Sequence, residues 1–375
     1  MDVVPTVIYS FMLGIIALAL VQAGCKPKHQ QTTFLIALLC LLFIHVCGEL
    51  FIYSGAYRYL PGLAGLQFPI RTLLGPALYF YARATMSPDV SISARSYALA
   101  SLGPVLVIGA IIPFLFSLTP QEKLALADPA TRDPEHFKVA FLTCLTAMVI
   151  FITFIAIYFV SALKVHARHR QQLMERFADI QSRSLDWFKV TLLLWGLVWF
   201  FYATAYLPGF TGWRIPGQGF LLPLLEASVL LAFTQLALNQ PILTREDKGI
   251  PIAHQIRTTT LSKSKMDAIA KKLQSVMTQE QLFMNDTLSL NQLSQSISVS
   301  ENHISETLSQ LLQTNFFQFV NGYRIEYAQK LLLDSDKRIS TIQYEVGFNA
   351  KSTFNTAFKK ATGLTPSQYR KQVHS

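Results

Sequence analysis

Four ionisable side chains stand inside long apolar runs of this 375-residue chain: His45, Glu49, Arg71 and Glu226. A charge in such a run is costly to bury, so each of these residues needs a partner or a function. His45 and Glu49 are four residues apart and share one helix face. A cluster of Arg71 with Glu49 or Glu226 could be a structural ion pair tying helices together. It could equally bind a ligand and switch between two packings, and residue types alone leave both readings open. The His–Glu pair lacks a third ligand at a spacing that zinc would need, so no metal is expected. Neither a phosphate-binding glycine loop, nor GxSxG, nor a kinase signature is present, so no catalytic residue and no cofactor are assigned. Cys25, Cys40, Cys47 and Cys144 show no CxxC spacing and read as small buried hydrophobes.

The elements that must carry the four ionisable groups follow from composition. The chain is 51% hydrophobic and 14% charged, with a formal net charge of +10. Soluble domains usually carry about 25% charged residues, so much of this chain is expected to face lipid. Seven apolar segments approach the roughly 20 residues needed to span a bilayer: Val4–Ala23, Thr33–Ser54, Leu63–Tyr81, Tyr97–Leu118, Phe137–Leu163, Phe188–Leu207 and Phe220–Leu238. The third is the weakest, because it contains Pro69, Arg71 and Pro76. Trp195, Trp199, Phe200, Phe201, Tyr202 and Tyr206 read as lipid-facing or as an interfacial belt.

Basic residues give the orientation. Lys26 and Lys28 fall in the first connection and Arg83 and Arg95 flank the third. Lys164, Arg168, Arg170, Arg176 and Arg183 fall in the fifth. The even connections hold Arg58, then Lys123 and Arg132 among Glu122, Asp128, Asp133 and Glu135, then Arg214. The positive-inside bias therefore predicts the N-terminus outside and the C-terminus in the cytoplasm of an inner membrane. No cleaved signal peptide is expected, since Asp2 precedes the first apolar run without any Lys or Arg.

After Leu238 the chemistry changes. Residues 239–264 contain Pro241, Gly249, Pro251 and three consecutive threonines, and read as a linker. From Lys265 to Ser375 short amphipathic helices replace apolar runs. Leu290, Leu293 and Ile297 mark one helix opened by Ser289. Ser300 opens a second, with Ile304, Leu308 and Leu311 inward. Two short helices joined by a tight turn form a helix-turn-helix, whose second helix enters the major groove of double-stranded DNA. The pattern recurs with Ile339, Ile342 and Val346, the turn at Gly347-Phe348, and Phe354, Ala357 and Phe358 up to Gly363. The two units, about 289–312 and 339–363, flank a long helix over about 316–334.

The run "NFFQFVNGYRIEYAQKLLLDSD" followed by "ISTIQYEVGFNAKSTFNTAFKKATGLTPSQYRK" resembles the DNA-binding domain of AraC-type transcription regulators. The resemblance covers Lys265 to Lys371. It rests on Arg324 with Ala328 and Leu332, Val346-Gly347-Phe348, Phe354, Phe358-Lys359-Lys360, Gly363 and Thr365-Pro366-Ser367 with Tyr369-Arg370. With the apolar half and the "GPALYFYAR" run at 75–83, the architecture is similar to a membrane-bound bacterial subgroup of that family. It implies base-facing positions at Asn302, Ser305 and Glu306 in the first unit and at Lys351, Ser352, Asn355 and Thr356 in the second. Phosphate contacts fall to Lys359, Lys360, Arg370 and Lys371. Glu306 stands where an arginine commonly reads guanine; a glutamate would accept from cytosine N4 instead. Ser294 and Gln343 replace a small alanine, so Gln343 should loosen its contact or reach solvent. Asn349 should cap the second reading helix in place of Ala350.

The expected fold is thus all-α: a seven-helix transmembrane bundle over 1–238 followed by a tandem helix-turn-helix domain over 265–375. The resemblance implies a one-component regulator that joins a small-molecule or physical signal to sequence-specific DNA binding. A symmetric homodimer is the default expectation, with RNA polymerase as partner if it activates. The alternative is a transporter or channel with a regulatory tail, which would need a polar pathway through several spans. An integral-membrane enzyme would need acids, histidines or a nucleophile gathered at one depth, and only His45 and Glu49 come close.

Overall fold

The computed structural model describes residues 3–63, 65–87, 92–127, 137–181, 183–204, 218–243 and 261–373. Asp2, Asp128, Arg132, Asp133, Glu135, Tyr206, Arg214 and residues 244–260 of the expected linker lie outside them. The chain forms two compact units, residues 1–166 with 186–242 and residues 167–185 with 243–375.

The first unit contains α1 (Val3–Gly24), α2 (Gln30–Tyr53), α3 (Gln67–Arg71), α4 (Leu74–Met86), α5 (Ala94–Ser117) and α6 (Pro120–Ala127). It also holds most of α7 (Lys138–Met174), then α8 (Asp186–Thr204) and α9 (Gln218–Asn239). Among the described residues, six helices are long and apolar enough to cross a membrane: α1, α2, α5, α7, α8 and α9. The expected third span is not one helix but two. Pro76 has no N–H to offer the carbonyl of Thr72, so the helical ladder breaks after Arg71 and restarts at Leu74. The short α4 is buried along most of its length, including Leu74, Leu78, Tyr81 and Met86. The long apolar helices face the other way. Between 22% and 44% of each span's most apolar window is buried inside the protein, and Val7, Phe11, Leu18, Val105 and Val149 point outward. The outward faces of these helices are therefore rich in apolar side chains.

Helix α7 continues past the apolar run that the sequence marks at Leu163, carrying the polar stretch HARHRQQLM to Met174. From Ala167 its residues belong to the second unit.

That unit contains α10 (Lys263–Thr278), α11 (Leu290–Ile297), α12 (Glu301–Glu306), α13 (Phe316–Asp334), α14 (Ile339–Glu345), α15 (Lys351–Thr362) and α16 (Pro366–Val373). Two apolar cores sit side by side. The first gathers Leu273, Leu293, Ile304, Leu308, Phe316 and Val320. The second gathers Ile325, Ala328, Leu332, Ile342, Val346, Phe354 and Phe358. Helix α13 contributes its first half to one core and its second half to the other, which fixes the two helix-turn-helix units on one rod. Local capping agrees with the pattern. Ser289 forms a capping box with Gln292, Ser300 accepts from the His303 amide, and Asn315 accepts from the Gln318 amide.

Candidate nucleic-acid interface

Within the second compact unit, the turn regions around 289–312 and 339–363 repeat each other at the level of single atoms. In the first, Ser298 takes a left-handed φ of 51°, and the Ser294 hydroxyl donates to the Val299 carbonyl at 2.6 Å. In the second, Gly347 takes φ of +91°, and the Gln343 amide donates to the Phe348 carbonyl at 3.1 Å. The backbone amides of Val299 and Phe348 return bonds to Ser294 and Gln343. Gln343 therefore neither loosens its contact nor reaches solvent. It is 2% exposed and holds the turn that aims α15.

Arg324 joins the two halves. Its side chain is fully buried, yet each of its three nitrogens donates a hydrogen bond. Nε donates to the Phe283 carbonyl and Nη2 to the Asn285 carbonyl, both at 2.7 Å. Nη1 reaches the Asn321 side chain at 3.3 Å. The guanidinium lies 5.4 Å from the centre of the Phe348 ring in the second turn. Burial pushes its pKa down to about 10, against the opposing charges of Asp179 and Asp286, so it remains a cation at neutral pH. Its place in the sequence motif gives no hint of this burial, because an arginine on a helix normally reads as surface.

This is a helix-turn-helix domain. Residues 293–372 match the family described as Helix-turn-helix domain. The chain is 35% identical over 99 residues to an uncharacterised HTH-type transcriptional regulator of Staphylococcus aureus strain COL, over 26% of this chain and 13% of that protein. It is 30% identical over 87 residues to the melibiose operon regulatory protein of Escherichia coli, over 23% of this chain and 29% of that protein. Among solved structures it is similar to the C-terminal domain of AraT, a response regulator from Geobacillus stearothermophilus. That match has 30% identity over 30% of this chain and 88% of that one, with a TM-score of 0.26. The chain thus spans only a minor part of the length of these curated relatives.

Within the helix-turn-helix domain, the residues that the sequence singles out as base-facing lie on α12 and α15. Asn302 is exposed and Ser305 half-buried on α12. Glu306 is already engaged, its carboxylate accepting from the Leu261 amide at 3.2 Å. On α15, Lys351, Ser352 and Thr356 are exposed and Asn355 half-buried, with Lys359 and Lys360 exposed in the last turn. Arg370 is held back, donating from Nη2 to the Lys337 carbonyl at 2.7 Å. Ala350 stands at the N-cap of α15 without a side-chain cap, and Asn349 does not replace it. The Asn349 amide instead donates to Asp179 at 3.0 Å.

In the first unit the four ionisable residues sit in two buried groups. His45 Nε2 and Glu226 are 2.8 Å apart, and the Tyr9 hydroxyl donates to the same carboxylate at 3.2 Å. Arg71 donates to Glu49 and to the Tyr202 hydroxyl, and Tyr202 donates to Glu49 at 2.8 Å. Arg71 therefore chooses Glu49, while His45 and Glu49 share a helix face but serve different partners. Tyr9 carries no signal of this role in the sequence, because a tyrosine in an apolar run reads as ordinary core. Tyr202 and Trp195 depart from the expected aromatic belt. Tyr202 completes the ion pair, and Trp195 is 4% exposed, whereas Phe200 is outward at 62%. A cavity of about 10 Å³, room for about one water, lies against His45, Glu226, Leu38, Leu78, Trp195 and Trp199. His45 Nδ1 has no hydrogen-bond partner among the described residues. The cysteines are free, and Cys25 and Cys40 are exposed rather than buried.

Proposed function

We propose that the chain is a membrane-embedded, one-component transcription regulator that binds double-stranded DNA through α12 and α15. The observation that carries this reading is the pair of helix-turn-helix cores sharing α13, in the same chain as six apolar helices of spanning length. The staphylococcal and melibiose relatives, both named as regulators, match about a quarter of this chain. The six apolar helices support the membrane reading. Helices α3 and α4 together supply the seventh crossing, as a broken helix packed within protein, where irregular backbone is tolerated at membrane depth. Seven crossings would leave the two ends on opposite sides, and the basic fifth connection supports a cytoplasmic C-terminus. His45, Glu49, Arg71 and Glu226 then form the part of the bundle that senses a signal. Base contacts come from Asn302, Ser305, Lys351, Ser352, Asn355 and Thr356, with Glu306 available once it releases Leu261.

Genome-wide mapping of DNA bound by the full chain tests the reading, together with a reporter fused after Ser375. The expected result is a small set of enriched operators and a cytoplasmic reporter. A reporter outside the cell, or binding without sequence preference, sinks it.

A further inference from the structure

Segment 167–185 connects α7 to α8 and folds with the helix-turn-helix domain. Nothing in its composition beyond positive charge signals this. It is shaped in advance by its own contacts. Leu173, Phe177 and Ile180 cluster with Phe317, Asp179 accepts from the Gln181 amide at 3.0 Å, and the Arg183 guanidinium lies 4.5 Å from the centre of the Phe177 ring.

Its base is anchored in the domain. The Leu290 amide donates to the Arg176 carbonyl at 2.8 Å and the Ala178 amide to the Leu288 carbonyl at 3.1 Å. Asn321, itself 4% exposed, donates to the Ala178 carbonyl at 3.1 Å. From that base the segment reaches the first turns of both reading helices. Arg176 pairs with Glu301, the first residue of α12, at 2.9 Å. Gln181 lies on the start of α15, donating from Nε2 to the Ser352 hydroxyl at 3.1 Å and accepting from the Thr353 hydroxyl at 2.6 Å. Residues at the start of a reading helix are those that meet base edges and phosphate. Ser352 is also one of the base-facing positions inferred above.

We infer that residues 176–181 are an internal clasp over both reading helices, and that DNA and the tip of the clasp compete for Ser352 and Thr353. This rests on the proposed DNA-binding role of α15. The base is buried and holds the clasp to the domain, while the tip makes exposed hydrogen bonds that water or phosphate can replace at small cost. Both ends of the segment continue directly into helices of spanning length, so a displacement of α7 against α8 pulls on the clasp. The signal and the reading helix are thereby joined through this connection.

The test uses the full chain in nanodiscs of neutral lipid, titrated with a fluorescent random-sequence duplex, comparing wild type with Gln181→Ala and Gln181→Glu. Gln181 is exposed, so neither change threatens folding. Removing the tip contacts in Gln181→Ala should tighten duplex binding about fivefold. In Gln181→Glu a carboxylate still accepts from both hydroxyls and is favoured at a helix N-terminus, so the clasp holds harder and duplex binding should weaken. Unchanged or weaker binding in Gln181→Ala, or binding in Gln181→Glu that is not weakened, overturns the clasp. A chain that binds the duplex in none of the three forms fails earlier, at the DNA-binding role itself.

Discussion

At Gly347 two demands meet that only glycine satisfies. The backbone has φ of +91°, and an added Cβ would stand 2.9 Å from the carbonyl oxygens of Phe283 and Met284 and 3.0 Å from Arg324 Nε. The Phe283 carbonyl is one of the acceptors that keep Arg324 satisfied. A side chain at 347 therefore strains the turn and also displaces the acceptor of a buried cation. Gly363, which ends α15, has φ of +78° but open space around it. Gly347→Ala should destabilise the second core by about 3 kcal/mol, the sum of left-handed strain and a broken buried contact. Gly363→Ala should cost only about 1 kcal/mol, the conformational term alone. Hydrogen-exchange protection of amides around Ile342 and Phe354 in the full chain measures both, and equal effects at the two glycines would show that the Arg324 junction carries no weight.

Helix α15 is the element where sequence and structure part most usefully. Its apolar face, its turn glycine and its C-terminal lysines are all visible in the sequence, because apolar periodicity and a left-handed turn have strong residue signatures. Its N-terminus is not, because the residue that meets it, Gln181, lies far away in the chain. Ala350 already has extended N-cap geometry, with φ of −134° and ψ of 137°, and lacks only an oxygen. Ala350→Ser should therefore stabilise α15 by about 1 kcal/mol, read in the same exchange experiment; no gain would mean that the Gln181 contacts already satisfy that end. The lysines make a separate prediction. Lys359 and Lys360 are exposed in the last turn, and no ion pair to either is found among the described residues. If they hold phosphates, replacing both with alanine should reduce the slope of log affinity against log salt by about 2, roughly one for each contact. A slope that does not move assigns them to a solvated face.

For the whole chain, the change from long apolar helices to short amphipathic ones was legible from hydropathy, since the two kinds of helix differ in length and pattern, while the helix-turn-helix domain was legible from its turn residues and motif. Less legible were the pairings inside the apolar half, because an i, i+4 relation tells which side chains share a face and not which helix they meet. Arg71 met Glu49 across 22 residues, and Glu226 met His45 across 181. These pairs pose the question that decides whether the bundle senses anything. A buried ion pair is poor evidence for stability, since apolar residues of similar volume often replace it without loss, whereas removing one partner alone costs about 3–5 kcal/mol. Glu49→Gln by itself should therefore lower the amount of folded protein and say little about signalling. The double change Glu49→Leu with Arg71→Met removes both charges together and should leave the bundle folded. A purely structural pair predicts normal output from this variant at a mapped operator. A sensing pair predicts a normal protein level with output frozen at one value across growth conditions, because the energy difference between two packings, to which a signal must couple, has gone with the charges. Output that still varies with condition in the double variant would remove Glu49 and Arg71 from the sensing role and leave His45, Glu226 and the cavity beside them to be tested in the same way.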